Sequence, residues 1–152
     1  MNMPDQKRDF FVSYNSKDRQ WAEWIAWELE EAGYSVFIQA WDFLPGGNFV
    51  LDMQQATSQS KRTIAVLSEN YLNAQFTQSE WAAAFAQDPT GKRGMLLPIR
   101  IGKCEPTGLL KSIVYIDLLG LDKAEARRQL LSRVGGMTRQ RNKPGVPPGF
   151  PG

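Results

Sequence analysis

The stretch QFTQSEWAAAFAQD, residues 75–88, holds the side chain best placed to do chemistry, the carboxylate of Glu80. Thr77 and Glu80 have the Thr-x-x-Glu spacing of a capping box, in which the two side chains satisfy backbone N–H groups at a helix start. That accounts for Glu80 structurally, and any catalytic role competes with it. The rest of the chain narrows the chemistry. There is one cysteine, Cys104, and no histidine. An internal disulfide is excluded. A cysteine–histidine pair and a Ser-His-Asp triad are excluded too, because the general base is absent. A zinc site on the usual nitrogen and sulfur ligands lacks donors. Any catalysis must rest on carboxylates, hydroxyls, amides, Lys or Arg. Cys104 follows a strand-like run and is expected to be inert.

The elements that would position these groups alternate along the chain. DFFVSY, Asp9 to Tyr14, is a continuous apolar run of the kind found in strands buried on both faces. A helix follows, with Asp18 able to cap it and Gly33 placed to end it. At 100° per residue its core face carries Trp21, Ile25, Leu29 and Ala32. Trp27 falls nearly opposite, which suggests either a contact surface or a ring lying flat on neighbouring Lys or Glu stems. Tyr34 to Gln39 reads as a second strand and residues 40–49 as a loop punctuated by Pro45, Gly46 and Gly47. A short helix, a third buried strand ending near Ser68 and the helix of Glu80 come next. MLLPIRI is a fourth strand, in which Pro98 lacks an N–H and points to a site near an edge or a bulge. VYIDL is a fifth strand. Asp122 and Glu125 form a second capping box, opening a helix that runs to about Val134.

This order predicts an α/β fold: an open parallel five-stranded sheet of flavodoxin-like type with helices on both faces. Ligands in such folds sit beyond the carboxyl ends of the strands. The residues there are Tyr14, Asn15 and Ser16, the loop bearing Asp42 and Phe49, and Ser68 with the chain leading to Glu80. Of Ser13 and Tyr14, alternation along the strand sends one to the core, and the sequence does not say which.

At 152 residues the chain fits one domain plus a tail. Residues 1–8 are read as an extension, 9–134 as the domain, and the Gly/Pro-rich 135–152 as a linker leading to further domains. Eighteen basic against sixteen acidic residues give a net charge of +2, without the basic stripe of a nucleic-acid binder. No apolar run has the length of a membrane span and the N-terminus is not a signal peptide, so the expected compartment is the cytoplasm.

Three segments resemble the Toll/interleukin-1 receptor (TIR) domain family, in the right order and across nearly all of residues 9–134. DFFVSYNSKD is similar to its first box. WDFLPGGNF is similar to its second, the BB loop, with an Asp-x-x-Pro-Gly core at Asp42, Pro45 and Gly46. AVLSENYLNAQFTQSEW is similar to its third strand and the helix after it, where an aromatic residue precedes a glutamate by four positions; here these are Phe76 and Glu80. Phe76 stands where many members carry Trp and keeps an aromatic face. The wording looks most like bacterial TIR modules fused to sensor proteins. The resemblance implies cleavage of NAD+ at the nicotinamide–ribose bond, with Glu80 as the essential carboxylate and Phe76 in the substrate pocket. It implies no cofactor beyond NAD+ as substrate, and self-association through the Pro45-Gly46-Gly47 loop. Members without activity only bind other TIR domains, and that is the alternative reading. A receiver-type or phosphate-binding domain is disfavoured, since no acidic pair follows the first strand and no Gly-rich phosphate loop is present.

Overall fold

The computed structural model describes residues 7–73, 95–106, 113–135 and 145–152. Five strands form one parallel sheet: β1 Arg8–Ser13, β2 Val36–Ile38, β3 Ser60–Leu67, β4 Leu96–Arg100 and β5 Ile116–Asp117. Their order is β2-β1-β3-β4-β5, which is the flavodoxin-like arrangement the alternation predicts. The helices are α1 Arg19–Glu31, α2 Gln39–Asp42, α3 Phe49–Ser58, α4 Glu69–Asn73 and α5 Lys123–Gly135, and a 3-10 turn, Ser16–Asp18, leads into α1.

The sheet has two apolar faces because its strands alternate large residues on both sides. Phe10, Val12, Ile64, Val66 and Ile99 face α1 and α5, where Ile25, Leu29, Ala126 and Leu130 meet them. On the opposite face, Phe11 packs on Met53 and Ala56 of α3, while Ala65 and Leu67 pack with Tyr71 of α4. Burying one such side chain contributes about 1.5–3 kcal/mol, so these two layers dominate the stability. An ion pair at 2.7 Å between the nearly buried Glu28 and Arg127 ties α1 to α5.

Several local expectations shift. Asp18 stands at the N-cap of α1 but makes no side-chain cap bond; its carboxylate is drawn to Ser68. Ala32 is exposed at the helix end, and the buried stripe comprises Ala22, Ile25, Ala26 and Leu29. Gly33 ends the helix with φ +99°, as its position predicts. The second strand is only three residues long, because residues 39–42 turn into α2. In the second capping box only half of the pattern forms. Asp122 accepts from the Glu125 N–H at 2.9 Å, but Glu125 spends its carboxylate on Arg128 and Gln129.

Pro98 sits where a residue without an N–H is tolerated. The Ile101 N–H donates to Leu67 of β3, so by alternation the backbone of Pro98 faces the β5 side. The pairing of β4 with β5 begins at Ile99, and no ladder bond is lost.

Candidate functional site

A cavity of about 400 Å³ opens beyond the carboxyl ends of β1 and β2. One wall comes from the chain leaving β1, with Tyr14, Ser16 and Arg19. The opposite wall is the loop from Phe43 to Gly47, and Phe49 and Asp52 of α3 close the end. Phe43 and Phe49 meet edge to face, ring centroids 6.2 Å apart. The strand alternation is now resolved: Ser13 is buried with its hydroxyl 3.1 Å from the Tyr71 hydroxyl, and Tyr14 turns half-buried to the cavity. Burial raises the Tyr14 phenol above its ordinary value, while Arg19 and the Ala40 backbone pull against that shift. The hydroxyl is therefore a neutral donor at physiological pH. Arg19 is held by Glu23 at 3.3 Å, and Glu23 also accepts from the Trp41 indole at 3.2 Å, which ties α2 to α1.

The loop owes its shape to three neighbouring residues. The Gly47 N–H donates to the Leu44 carbonyl at 3.1 Å, closing a turn with Pro45 second and Gly46 third. Gly46 has φ +86°, the signature of a type II turn, which takes Pro and Gly at those positions. Gly47 has no such angle; its reason is space, since a Cβ there would lie 2.8 Å from Asp52 Oδ2. Asn48 then caps α3, its side chain accepting from the Leu51 N–H at 3.1 Å.

The expected site residues fall into separate groups. Tyr14, Ser16, Pro45, Gly47 and Phe49 line the cavity. Asn15 lies beside it but is engaged in capping the 3-10 turn, accepting from the Lys17 N–H and donating to the Asn70 carbonyl. Asp42 is spent on the outer edge of β2, with Arg8 and the Ile38 N–H as partners. Ser68 is buried; it donates to Asp18 and accepts from the Tyr71 N–H, capping α4. Glu80 and Phe76, with the Thr77 box, lie outside the described residues. Trp27 is 58% exposed, on the side of α1 away from the core. Cys104 is buried, and burial raises its thiol. Sequence reasoning missed Arg19, Phe43 and Asp52 on the cavity wall. Asp52 had a signal: it follows Phe49 by three residues in one helix, and such residues share a face. Phe43 lies in the loop the sequence sets at this end of the sheet, though it was not singled out; Arg19 had no signal, because its position depends on how α1 docks.

The sequence profile of the TIR domain family matches residues 10–131. The chain belongs to the TIR domain family. It is 31% identical over 83 residues to Protein toll of Drosophila melanogaster, covering 53% of this chain and 8% of that protein. Toll-like receptor 2 of Bos taurus is 36% identical over 76 residues, 48% of this chain and 9% of the receptor. The chain thus spans under a tenth of these curated relatives. Among solved structures, the TIR domain of the Toll-related receptor TRR-2 from Hydra magnipapillata superposes with a TM-score of 0.72 at 22% identity, covering 88% of this chain and all of that one. The TIR domains of the activated Roq1 resistosome give 0.67 at 14% identity, with 84% and 99% covered. At these identities the likeness establishes the fold. The segment that resembles the family's second box holds the type II turn at Pro45-Gly46, and the segment that resembles its first box holds Tyr14 and the Asn15 cap. Among the described residues no helix is long and apolar enough to cross a membrane.

Proposed function

We propose that this TIR domain is an NAD+ nucleosidase of bacterial type, releasing nicotinamide and either ADP-ribose or a cyclised ADP-ribose when a fused sensor clusters it in the cytoplasm. The observation that carries the reading is the cavity at the carboxyl ends of β1 and β2, with aromatic, hydroxyl and guanidinium groups on its walls. A dinucleotide needs apolar faces for its rings and a cation for its phosphates, and Phe43, Phe49 and Arg19 offer both. Glu80 enters through the family resemblance. Nicotinamide leaves NAD+ as a neutral molecule, so no general acid is required. The ribose gathers positive charge in the transition state. A fixed carboxylate stabilises that charge electrostatically, which a chain without histidine can do.

The test compares two variants that separate the roles of Glu80. Glu80→Gln keeps most of the capping box and removes the negative charge. It should melt near the parent, still bind NAD+, and lose about 10²-fold or more in nicotinamide release. Thr77→Ala should lose roughly 0.5–2 kcal/mol of stability and keep most turnover. Near-parental turnover by the Gln variant, at a temperature where both remain folded, would return Glu80 to a capping role alone.

The second reading is a non-catalytic TIR–TIR interaction module. Its support is the exposed apolar surface at the loop and on α1, where Leu44 is 76% exposed and Trp27 stands clear of the core. Self-association with no nicotinamide release at high protein concentration would favour it.

A further inference from the structure

Another cavity, of about 330 Å³, lies between the first turns of α1 and α5, on the face of the sheet opposite α3 and α4. Gln20, Trp21 and Trp24 of α1 line one side, and Leu121, Lys123 and Ala126 at the start of α5 line the other. Trp21 and Trp24 are three positions apart on one helix and so share a face. Their rings meet edge to face, centroids 5.8 Å apart and planes at 86°, and both rest on the core beneath. The cavity therefore has an angled aromatic wall. Trp41 donates its indole N–H to Glu23, but neither Trp21 nor Trp24 has an acceptor for its own among the described residues. An indole is a donor only, and a partly buried one generally finds a partner. The wall thus presents two flat apolar faces and two unused donors.

That chemistry fits a polyproline-type segment. Such a segment has no internal hydrogen bonds, so its carbonyls need donors, and its rings dock on aromatic walls in a conformation already fixed. This chain carries one at Val146-Pro147-Pro148. Each proline fixes its own φ, and the residue before a proline is held extended, so Val146 and Pro147 are preset. Residues 147–152 form neither helix nor strand, and the apolar side chains flanking the proline pair are bare: Val146 is 74% exposed and Phe150 91%. The reach is sufficient. Ala126 lies about 14 Å along the helix axis from Gly135, where α5 ends. The chain from Gly135 to Pro147 spans up to about 40 Å. We propose that the Trp21–Trp24 cavity docks Val146–Phe150 of its own chain, with the prolines on the indole faces and the segment's carbonyls on the indole N–H groups. The exposed segment is the free form of that equilibrium. Contacts of this size are weak for a separate peptide. Attachment to the same chain raises the effective concentration to about the millimolar range, which favours this segment over that of a second copy. The inference is independent of NAD+ cleavage.

The experiment follows the assigned indole N–H resonances of Trp21 and Trp24 in the full chain, comparing the parent with a Pro147→Ser, Pro148→Ser double variant over a dilution series. A synthetic peptide of residues 145–152 is then added to each. Both substitutions fall on exposed residues outside the core, so the variant should fold as the parent does. The two resonances should differ between parent and variant at every dilution, and the peptide should move those of the variant towards the parental positions. The peptide should bind the variant about threefold or more tightly than it binds the parent, whose own segment competes. Coincident resonances in parent and variant would overturn the proposal. So would a difference confined to the other tryptophans, or a peptide that leaves the variant's Trp21 and Trp24 unmoved. A difference that vanishes on dilution would overturn it too, by assigning the cavity to the segment of a second copy.

Discussion

A carboxylate's role in this chain is set by its nearest donors. Asp117 accepts two bonds from Arg100, at 3.1 and 2.7 Å, and one from the Leu119 N–H. The Arg100 guanidinium, which favours the charged form, is the largest influence and holds the Asp117 carboxyl below its ordinary value of 3.8. The folded value lies below the unfolded one. The stabilisation is therefore complete above the unfolded value and is lost as pH falls through the lower folded one. Asp117→Asn should melt a few degrees at most below the parent at neutral pH, since its side chain is 43% exposed. The gap should close in acid melts near pH 2; a constant gap would assign the loss to packing. Asp42 and Ser68 carry the same lesson for function. Both were expected near a ligand on residue type and position, and both are used on backbone N–H groups, at Ile38 and Tyr71. A polar side chain at a strand end is in demand as a cap, and sequence does not reveal which demand wins.

At the scale of elements, the loop between α2 and α3 is shaped by Pro45, Gly46 and Gly47 for separate reasons. Gly46→Val puts a β-branched residue at φ +86°, a conformation that costs an L-residue roughly 1–2 kcal/mol. Pro45→His should cost less, since it only releases a preset φ. Neither change reaches the core, so both proteins should remain folded, with loss of assembly or of nicotinamide release. Parental behaviour in both would leave the loop as a turn and nothing more. The turn itself was legible, because Pro then Gly is a type II signal. The separate reason for Gly47 was not, as its neighbour Asp52 arrives from the next helix.

At the scale of the molecule, the cavity is open on one side and the exposed side chains of Leu44 and Trp27 sit on two different elements. If a neighbouring copy completes the pocket, nicotinamide release per molecule should rise with protein concentration or crowding. Specific activity that stays flat over a hundredfold dilution would exclude assembly as the trigger.

The sequence by itself determined the α/β alternation, the flavodoxin-like sheet, the end of α1 at Gly33 and the exclusion of histidine-dependent chemistry. These follow from local periodicity, turn chemistry and composition, which need no knowledge of what packs on what. It also placed Pro98 near an edge or a bulge, because a missing N–H is a local property; the structure sets it on the inner strand β4, just ahead of the first residue paired with β5. Only the tertiary structure decided that Tyr14 faces the cavity while Ser13 is buried, that Arg19 lines its wall, and that Asp18 bonds Ser68, fifty residues away, and does not cap its own helix. The contact between Arg8 and Asp42 spans 34 positions. Such pairings exist because sheet order brings distant segments together, and no local pattern in the chain encodes which donor will meet which acceptor.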